Sequence, residues 1–428
     1  MALSANTIFE VRTSGSDTNG GGFVTGASGT DWSQQNAAQY AVTDGVTAGT
    51  TTITSATANF GTDVVGNIMY VEGGTGAVAA GFYQITARAS STSITVDRST
   101  GLTAGTGVTL NIGGALATPG RIIQTGILAD GNKVYIKSGT YTLTTTTPGP
   151  AGPPTFPNGV SLYVEGYGTT RGDLGTRPIL DAGGLTNFYI IINGQATASE
   201  IAICANIELN GQNGTGNSGI SNDQSGMIFY KCIARNFKAA TTNYGFRGYR
   251  HAIACEAYDC GTGFAEASPT TRCYAKACTD YGFNHTAAHV DAIAHNCDTG
   301  FETGATTGTL SGCVAYGCTT NGFTYNRSCA YVNCVAVNNG SYGFGGGTNQ
   351  ILFLGCATYN NTTSATQSTS PRPAAPTELS GDPFVDAANG DFRLNTTAGA
   401  GATLRGAGID VAAQTDARDI GAVQHAQS

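Results

Sequence analysis

Phenylalanine recurs at a nearly constant interval in the second half of the chain, always directly after a glycine. The steps between successive Gly-Phe pairs are 18, 19, 18, 22 and 21 residues. The phenylalanines of these pairs are Phe246, Phe264, Phe283, Phe301, Phe323 and Phe344. A repeat this short cannot bury a hydrophobic core alone and has to stack on its neighbours. The spacing therefore predicts a solenoid, with the repeat extending from about residue 188 to residue 361.

Cysteine follows the same interval and forms two columns in register with the phenylalanines. The first column contains Cys232, Cys255, Cys273, Cys313, Cys334 and Cys356, and the second contains Cys260, Cys278, Cys297 and Cys318. Asn339 and Asn361 continue the second column and predict an internal asparagine ladder. Stacked strands give successive cysteines parallel Cβ vectors, which suit a disulfide poorly. We expect small, buried, reduced thiols, with interstrand disulfides or a redox role as alternatives.

Between these markers lie short runs of Thr, Val and Ile separated by Gly and Asn, with few Lys and Glu. This pattern predicts short strands joined by turns rather than a helical repeat. With the first cysteine column facing inward, strict alternation also places residues two positions earlier inward, such as Ile253, Val290, Val332 and Leu354. Residues three positions after the column then face outward. The prediction is an all-β parallel β-helix with three strands per turn.

Four segments of the chain differ in pattern. A strand is predicted at Ile8–Arg12, and a short N-terminal capping helix over Asp31–Val42, with Asp31 as its N-cap. The segments are residues 1–45, an N-terminal strand and capping segment; 46–113, a small inserted β domain; 114–365, the β-helix; and 366–428, a Ser/Pro linker with a C-terminal closing segment.

The residues directly after the first cysteine column are mostly bulky and apolar, although alternation turns them outward. They are Ile233, Glu256, Tyr274, Ile293, Val314, Val335 and Ala357. Stacked at strand spacing, they make a larger apolar patch than monomers usually expose. We therefore predict burial of Ile233, Tyr274, Ile293, Val314 and Val335 against another chain or segment, as an oligomer interface.

A second interpretation of this apolar stripe is a groove in which a glycan stacks. Its ligand-binding residues would be the neighbouring outward-facing side chains Tyr258, Lys276, His295 and Tyr316. An error in the assumed register is the third explanation.

The charge and hydropathy of the chain exclude two classes of partner. A net charge of −8 without any Lys/Arg run argues against nucleic acid. No apolar run approaches the ~20 residues of a membrane span.

Met1–Gly15 lacks the basic and apolar regions of a secretory signal. We expect synthesis in a host cytoplasm, whereas the Gly-, Thr- and Asn-rich composition is typical of proteins that work outside cells. Location in a virus particle satisfies both.

Three stretches resemble right-handed parallel β-helix proteins of the pectate-lyase-like superfamily. Val134–Tyr141 (VYIKSGTY) resembles the strand and turn that open many such helices, and Val164–Gly183 resembles the turns that follow. Gly381–Leu394, followed by Gly406–Asp410 and Asp419–Ala422, resembles their closing segment. The resemblance implies the fold but no single activity, because the superfamily contains lyases, hydrolases and non-catalytic proteins.

The N-terminal part, Phe9–Gly22 with the inserted β domain, is similar to proteins encoded among phage structural genes. This similarity implies a tail fibre, a tailspike or a head-attached appendage. Such proteins are usually trimers, so we expect a homotrimer that contacts other virion proteins. A host surface polysaccharide is the expected ligand, if there is one.

Catalysis on this fold has recognisable requirements. The resemblance implies for a lyase a Ca²⁺ site with a catalytic Arg or Lys, and hydrolases place two carboxylates ~5 to 9.5 Å apart. The nearest candidates are Asp280, Asp298 and Glu302, which would share a face, although Asp at such turns usually bonds the backbone. No catalytic motif of the superfamily matches, so no catalytic residue is assigned.

Two functional classes follow from these observations. The first is a non-enzymatic structural or binding protein of a phage particle, and the second is a polysaccharide depolymerase on the same scaffold. Capsid decoration is a third role that the sequence does not separate from the first. His285, His289 and His295 are close in sequence, but their spacing has no helical meaning on strands. No metal site and no cofactor are predicted.

Overall fold

The computed structural model describes residues 3–76, 78–101, 103–123, 126–193, 201–221, 226–266, 269–285, 288–304, 308–325, 329–346, 351–365, 375–409 and 421. The linker residues 366–374 and most of the predicted closing motif after Ile409 lie outside this range, as does the side chain of His285. The chain divides into two compact units. One contains residues 1–183 and 191–208, and the other contains residues 184–190 and 209–428.

The first unit contains short parallel strands of a β-helix. One sheet consists of Thr7–Val11, Lys133–Lys137, Tyr163–Tyr167 and Ala202–Ala205, with Gly22–Val24 antiparallel at its edge. Further strands of this unit are Thr140–Thr142, Ile179–Asp181 and Thr155–Phe156. Its helices are single turns, Thr62–Val64 and Gly120–Ile123. The strands Tyr189–Asn193 and Glu208–Asn210 lie where the chain passes between the units.

The predicted inserted β domain is a closed six-stranded antiparallel barrel. Its strands are Tyr40–Ala48, Thr52–Thr54, Ile68–Glu72, Gly81–Ser90, Ser93–Val96 and Ala104–Ile112. Alternate residues such as Ile85, Ile94 and Leu110 fill its interior without solvent exposure. The barrel begins at Tyr40, so the predicted boundary at residue 46 falls inside its first strand.

The predicted capping helix over Asp31–Val42 is wrong. Residues 31–39 form turns and bends, and Tyr40 already belongs to the barrel. The Asp31 carboxylate accepts hydrogen bonds from the backbone N–H and the hydroxyl of Ser33. Such a local bond stabilises a turn as readily as the start of a helix, and here it stabilises a turn.

The second unit contains the regular part of the β-helix, built of three parallel sheets. The first sheet consists of Met227–Tyr230, His251–Ile253, Thr270–Thr271, His289–Val290, Gly308–Ser311, Cys329–Val332 and Ile351–Leu354. The second consists of Ile233–Phe237, Glu256–Cys260, Tyr274–Lys276, Ile293–His295, Val314–Tyr316, Val335–Val337, Ala357–Tyr359 and Thr377–Glu378. The third consists of Tyr244–Arg247, Thr262–Ala265, Tyr281–His285, Thr299–Thr303, Phe323–Tyr325, Tyr342–Gly346 and Thr363–Ala365.

The remaining elements of this unit are the strand Ser218–Ser221 and, at the C-terminal end, the strands Phe384–Asp386 and Asp391–Leu394 around the single turn Ala387–Asn389. A last short helix follows at Gly401–Leu404. The predicted all-β parallel β-helix is confirmed.

The repeat register read from the sequence is also confirmed. Phe246, Phe264, Phe283, Phe301, Phe323 and Phe344 pair one to the next across the third sheet. Their rings stack with centroids 4.7–5.0 Å apart and planes within 9° of parallel. All twelve cysteines are free and buried. The two predicted ladder asparagines bond to each other, with Asn339 Nδ2 donating to Asn361 Oδ1 at 2.7 Å.

One parity prediction is wrong, and the turn between the first two sheets explains it. The residue just before the first cysteine column has a left-handed backbone conformation in every turn, for example Lys231, Ala254 and Asn333. This residue interrupts the strand, so alternation does not run through it. The fully buried side chains of the first sheet are therefore Phe229, Leu310 and their equivalents. Of the residues expected inward, Ile253, Val290 and Leu354 are partly exposed, whereas Val332 is buried.

Candidate functional site

The apolar stripe of the second sheet is covered by the chain's own C-terminal end. Its register runs as predicted from Ile233 through Tyr274 and Val314 to Ala357. We call residues 379–404 the closing segment, because their apolar side chains pack on this stripe. The side chains of this core are Val314, Val335, Val337, Ala357, Leu379, Phe384, Ala387, Phe392, Leu394 and Leu404, flanked by Tyr274, Ile293, Tyr316 and Tyr359.

This packing corrects the predicted oligomer interface. Val314 and Val335 have no solvent-exposed surface, and Ile293 and Tyr274 border the same core. Ile233, at the other end of the stripe, is 7% exposed. The stripe was expected to meet another chain or segment, and it meets a segment of the same chain. The part of the stripe at Val314, Val335 and Ala357 is therefore already buried within one chain.

Beside the closing segment, the uncovered part of the second sheet forms one wall of a cleft of about 540 Å³. The other wall is the turn and strand at residues 389–393. The lining residues are Glu256, Tyr258, Tyr274, Lys276 and Ile293 from the sheet, and Asn389, Gly390, Asp391, Phe392 and Arg393 from the closing segment. Strand pairing places Tyr258 beside Lys276 and Glu256 beside Tyr274.

The sheet wall combines aromatic rings with both signs of charge. The rings of Tyr258 and Tyr274 meet edge to face, with centroids 5.7 Å apart. The Tyr258 hydroxyl donates a hydrogen bond to the Glu256 carboxylate. Burial, and then this bonded carboxylate, raise the pKa of Tyr258. Within the described part of the chain, Lys276 makes no hydrogen bond or ion pair, so its ammonium is available to a ligand.

The closing-segment wall carries an ion pair that faces solvent. Nε of Arg393 lies 2.9 Å from one carboxylate oxygen of Asp391 and 3.1 Å from the other. The hydrogen bonds from Arg393 lower the pKa of Asp391 to about 2. Asp391 is therefore ionised at neutral pH and has no proton to give to a leaving group.

The four predicted ligand-binding residues lie in one column of the second sheet but do not share one surface. Tyr258 and Lys276 line the cleft. His295 is fully buried under the closing segment, which corrects its expected contact with a ligand. Tyr316 is partly buried there, and its hydroxyl donates to Asp382 at 3.0 Å. The closing segment covers the second half of the column.

Of the three weak catalytic candidates, Asp280 and Asp298 lie at the turn between the second and third sheets, and Glu302 lies in the third-sheet strand Thr299–Thr303. Asp280 and Asp298 directly precede Tyr281 and Thr299, which pair across the third sheet. Burial raises the pKa of Asp280, and the negative charges of Asp298 and Glu302 raise it further. Burial, followed by the charges of Glu302 and Asp280, raises the pKa of Tyr281 to about 12. These groups therefore form an electrostatically coupled acidic cluster.

Hydrogen bonds within the cluster are partly structural. The Thr319 hydroxyl donates to Asp298 Oδ1 at 2.6 Å.

Among the described residues, no three His, Cys, Asp or Glu side chains are arranged to hold a metal ion. No helix in the described ranges is long and apolar enough to cross a bilayer.

Sequence reasoning missed the closing-segment wall of the cleft. Gly381–Leu394 resembled a closing segment, but nothing in it indicated which sheet it would cover. The Asn389-Gly390 dipeptide between Phe384 and Phe392 was the usable signal, since Asn-Gly between apolar residues favours a hairpin. The two strands do pair antiparallel, and Gly390 has a φ of +92°.

Comparison with known proteins adds fold-level likeness. No family model and no curated protein matches the chain. The pectate lyase Pel9A matches with a TM-score of 0.40 and 16% identity, over 70% of this chain and 89% of the lyase. The tailspike protein gp49 from Pseudomonas phage LKA1 matches with a TM-score of 0.18 and 15% identity, over 82% of this chain and 64% of the tailspike. The chain is a parallel β-helix protein. Likeness this distant transfers no activity.

Proposed function

We propose that this protein is a non-enzymatic appendage of a phage particle and binds a host surface glycan in the cleft beside the closing segment. The particle location rests on the resemblance of Phe9–Gly22 and the inserted barrel to proteins encoded among phage structural genes. The binding role rests on one observation, the cleft that contains Tyr258, Tyr274 and Lys276.

The chemistry of the cleft suits a sugar chain. Tyrosine rings offer apolar faces to the C–H surface of a sugar while their hydroxyls accept and donate hydrogen bonds. Lys276 and Arg393 add donors at the two walls. A concave, partly aromatic surface with a few polar groups is the usual form of a small-ligand site. Parallel strands repeat these groups at ~4.8 Å, which favours an extended chain over a compact ligand.

The cleft is poorly equipped for hydrolysis. A glycosidase needs one carboxyl group that is protonated at working pH and a second that is ionised. Asp391 is ionised by its pair with Arg393, and the Glu256 carboxylate accepts the Tyr258 hydroxyl. These contacts support binding without cleavage.

Titration of the protein with surface polysaccharides of candidate host bacteria tests the binding role. We expect Tyr258→Ala and Lys276→Ala each to weaken binding at least tenfold, without loss of the folded state. Tyr230→Ala is the matched control, because Tyr230 is a partly exposed tyrosine on the first sheet outside the cleft. Equal loss in the control, or no binding to any polysaccharide, would refute the role of the cleft.

A depolymerase is the second candidate, favoured by the coupled acidic cluster at Asp280, Asp298 and Glu302. The raised pKa of Asp280 is the property expected of a general acid. Release of oligosaccharides by the purified protein, abolished in Asp280→Asn but not in Tyr258→Ala, would establish this function instead.

The homotrimer stays a prediction, and the apolar stripe no longer supports it because the closing segment covers it. Light scattering of the purified protein measures whether the particle mass is one or three times 43.5 kDa. Copy number per virion separates a fibre or tailspike from a capsid decoration protein.

A further inference from the structure

His295 lies beneath the closing-segment wall of the cleft and has no solvent-exposed surface. Its ring contacts the ring of Phe392 from the closing segment, with centroids 5.3 Å apart. On the sheet side it contacts Tyr274 and Tyr316, at 6.1 and 5.7 Å. Phe392 and Tyr274 both line the cleft, so His295 supports two of its lining residues from behind.

The surroundings of His295 provide a hydrogen-bond partner for one ring nitrogen, Nδ1, and none for Nε2 among the described residues. Nδ1 lies 2.7 Å from the Tyr274 hydroxyl, whereas Nε2 is buried and has no hydrogen-bond partner among the described residues. A neutral imidazole carries one N–H group, whereas a protonated imidazole carries two, and each needs an acceptor. Protonation would therefore place a charged, unpaired N–H in the aromatic contact, which is strongly unfavourable while the contact stays closed.

The charged and titratable groups around His295 do not compensate for an added proton. On the strand before it, Tyr274 bonds Nδ1 and Lys276 carries the same sign of charge. On the strand after it, Tyr316 donates to Asp382, which also accepts from Asn338. Two residues after His295, the Cys297 thiol donates to the His295 carbonyl. From the closing segment, Phe392 lies between Asp391 and Arg393, which neutralise each other.

We propose that His295 is a pH switch for the closing segment: its protonation releases residues 384–394 from the second sheet and opens the cleft. As regulation of glycan binding, this inference rests on the proposed function, since opening removes the Phe392 and Arg393 wall. The release itself does not depend on any ligand.

The sign of the effect follows from linkage. Burial, followed by the charge of Lys276, lowers the pKa of His295 from 6.5 to about 4. In the open state the ring is solvated and its pKa returns toward 6.5. The open state therefore binds more protons between these two values. The closed state is therefore most favoured above pH 6.5. The equilibrium constant for closing falls by up to about tenfold per pH unit as the pH drops from 6.5 toward 4.

Hydrogen exchange of the full-length protein between pH 7.5 and 4.5 tests the switch, after correction for intrinsic exchange rates. We expect the opening constant of residues 384–394 to rise by about 40-fold between pH 6.5 and 4.5. The strand Glu256–Cys260 serves as the internal reference and should stay protected. His295→Gln and His295→Phe should both remove the rise, while His251→Gln, which changes a partly exposed histidine of the first sheet, should keep it.

Circular dichroism establishes that each variant is folded before its exchange is compared. No rise in the wild-type protein, or the same rise in both His295 variants, would overturn the proposal. Polysaccharide binding measured at the same pH values separates the two claims. A pH-dependent opening without any glycan binding refutes the proposed function alone, and glycan binding without opening refutes the switch alone.

Discussion

Glu10 and Arg171 form an ion pair at 2.8 Å across 161 residues of sequence. The Glu10 carboxylate has no solvent exposure, and its other oxygen accepts from Nε of Arg12 at 2.8 Å. Arg171 also reaches Asp31 at 3.2 Å and the Ser33 hydroxyl at 2.8 Å. One guanidinium therefore joins the first strand to the turn that the sequence suggested was a helix.

Removal of Arg171 should destabilise the first unit strongly. Arg171→Met leaves the buried Glu10 carboxylate with Arg12 as its one remaining cation among the described residues, and breaking a buried ion pair costs about 3 kcal/mol or more. We expect a loss of about that size in urea unfolding followed by circular dichroism, which reports on the strands of both units. Lys238→Ala is the control: its pair with Asp259 is about half exposed, and its loss should cost less than about 1 kcal/mol. A similar effect of both changes would contradict this role of Arg171.

Ala277 is the clearest target for stabilising the β-helix. It has a φ of +57°, in a column where other turns have Asn236, Asp259, Asn296 and Gly317. A left-handed conformation costs a side-chain-bearing residue about 1–2 kcal/mol, and glycine avoids most of that cost. Ala277→Gly should therefore stabilise the protein by about 0.5–1 kcal/mol in denaturant unfolding.

Ala275→Gly is the matched control for this change, two residues earlier. Ala275 is fully buried in the strand Tyr274–Lys276. Glycine there should destabilise by about 1 kcal/mol, because it loses buried contacts and gains freedom in the unfolded chain. Destabilisation by both substitutions would show that the left-handed turn carries no strain.

Asp280→Asn should raise thermal stability at neutral pH. The pKa of Asp280 is raised by burial and by two like charges, so the ionised form is less favourable in the native state than in the unfolded chain. The penalty exists above the native pKa and disappears as pH falls below 3.8, the ordinary value. We expect a Tm increase of about 2 °C at pH 7 and no difference near pH 3. A lower Tm at pH 7 would show that Asp280 bonds its surroundings as a carboxylate.

The sequence contained enough to predict the repeat and its register. Phe246 and Phe264, or Cys232 and Cys255, mark equivalent positions because each turn repeats the same packing on its neighbours. Such nearest-neighbour information is local to two turns. It also placed Tyr258 next to Lys276 on an outward face, where the structure has them.

What the sequence did not contain was information about contacts between distant segments. The stripe from Tyr274 to Val335 was correctly identified as needing a cover, but its cover, Phe384 and Phe392, follows a break in the repeat. Nothing in a solenoid pattern specifies which face a terminal segment packs on. The parity error at Ile253 has a different cause. The next residue, Ala254, has a left-handed backbone conformation, and because it is neither glycine nor asparagine the sequence does not indicate this.

The most direct test of the central claim is the molar mass of a bound host polysaccharide, measured by light scattering after incubation with the protein. A glycan-binding appendage should co-elute with the polysaccharide, leave its mass per chain unchanged, and lose the association in Tyr258→Ala. A fall in polysaccharide mass over time that depends on Asp280 would contradict that claim and identify a depolymerase.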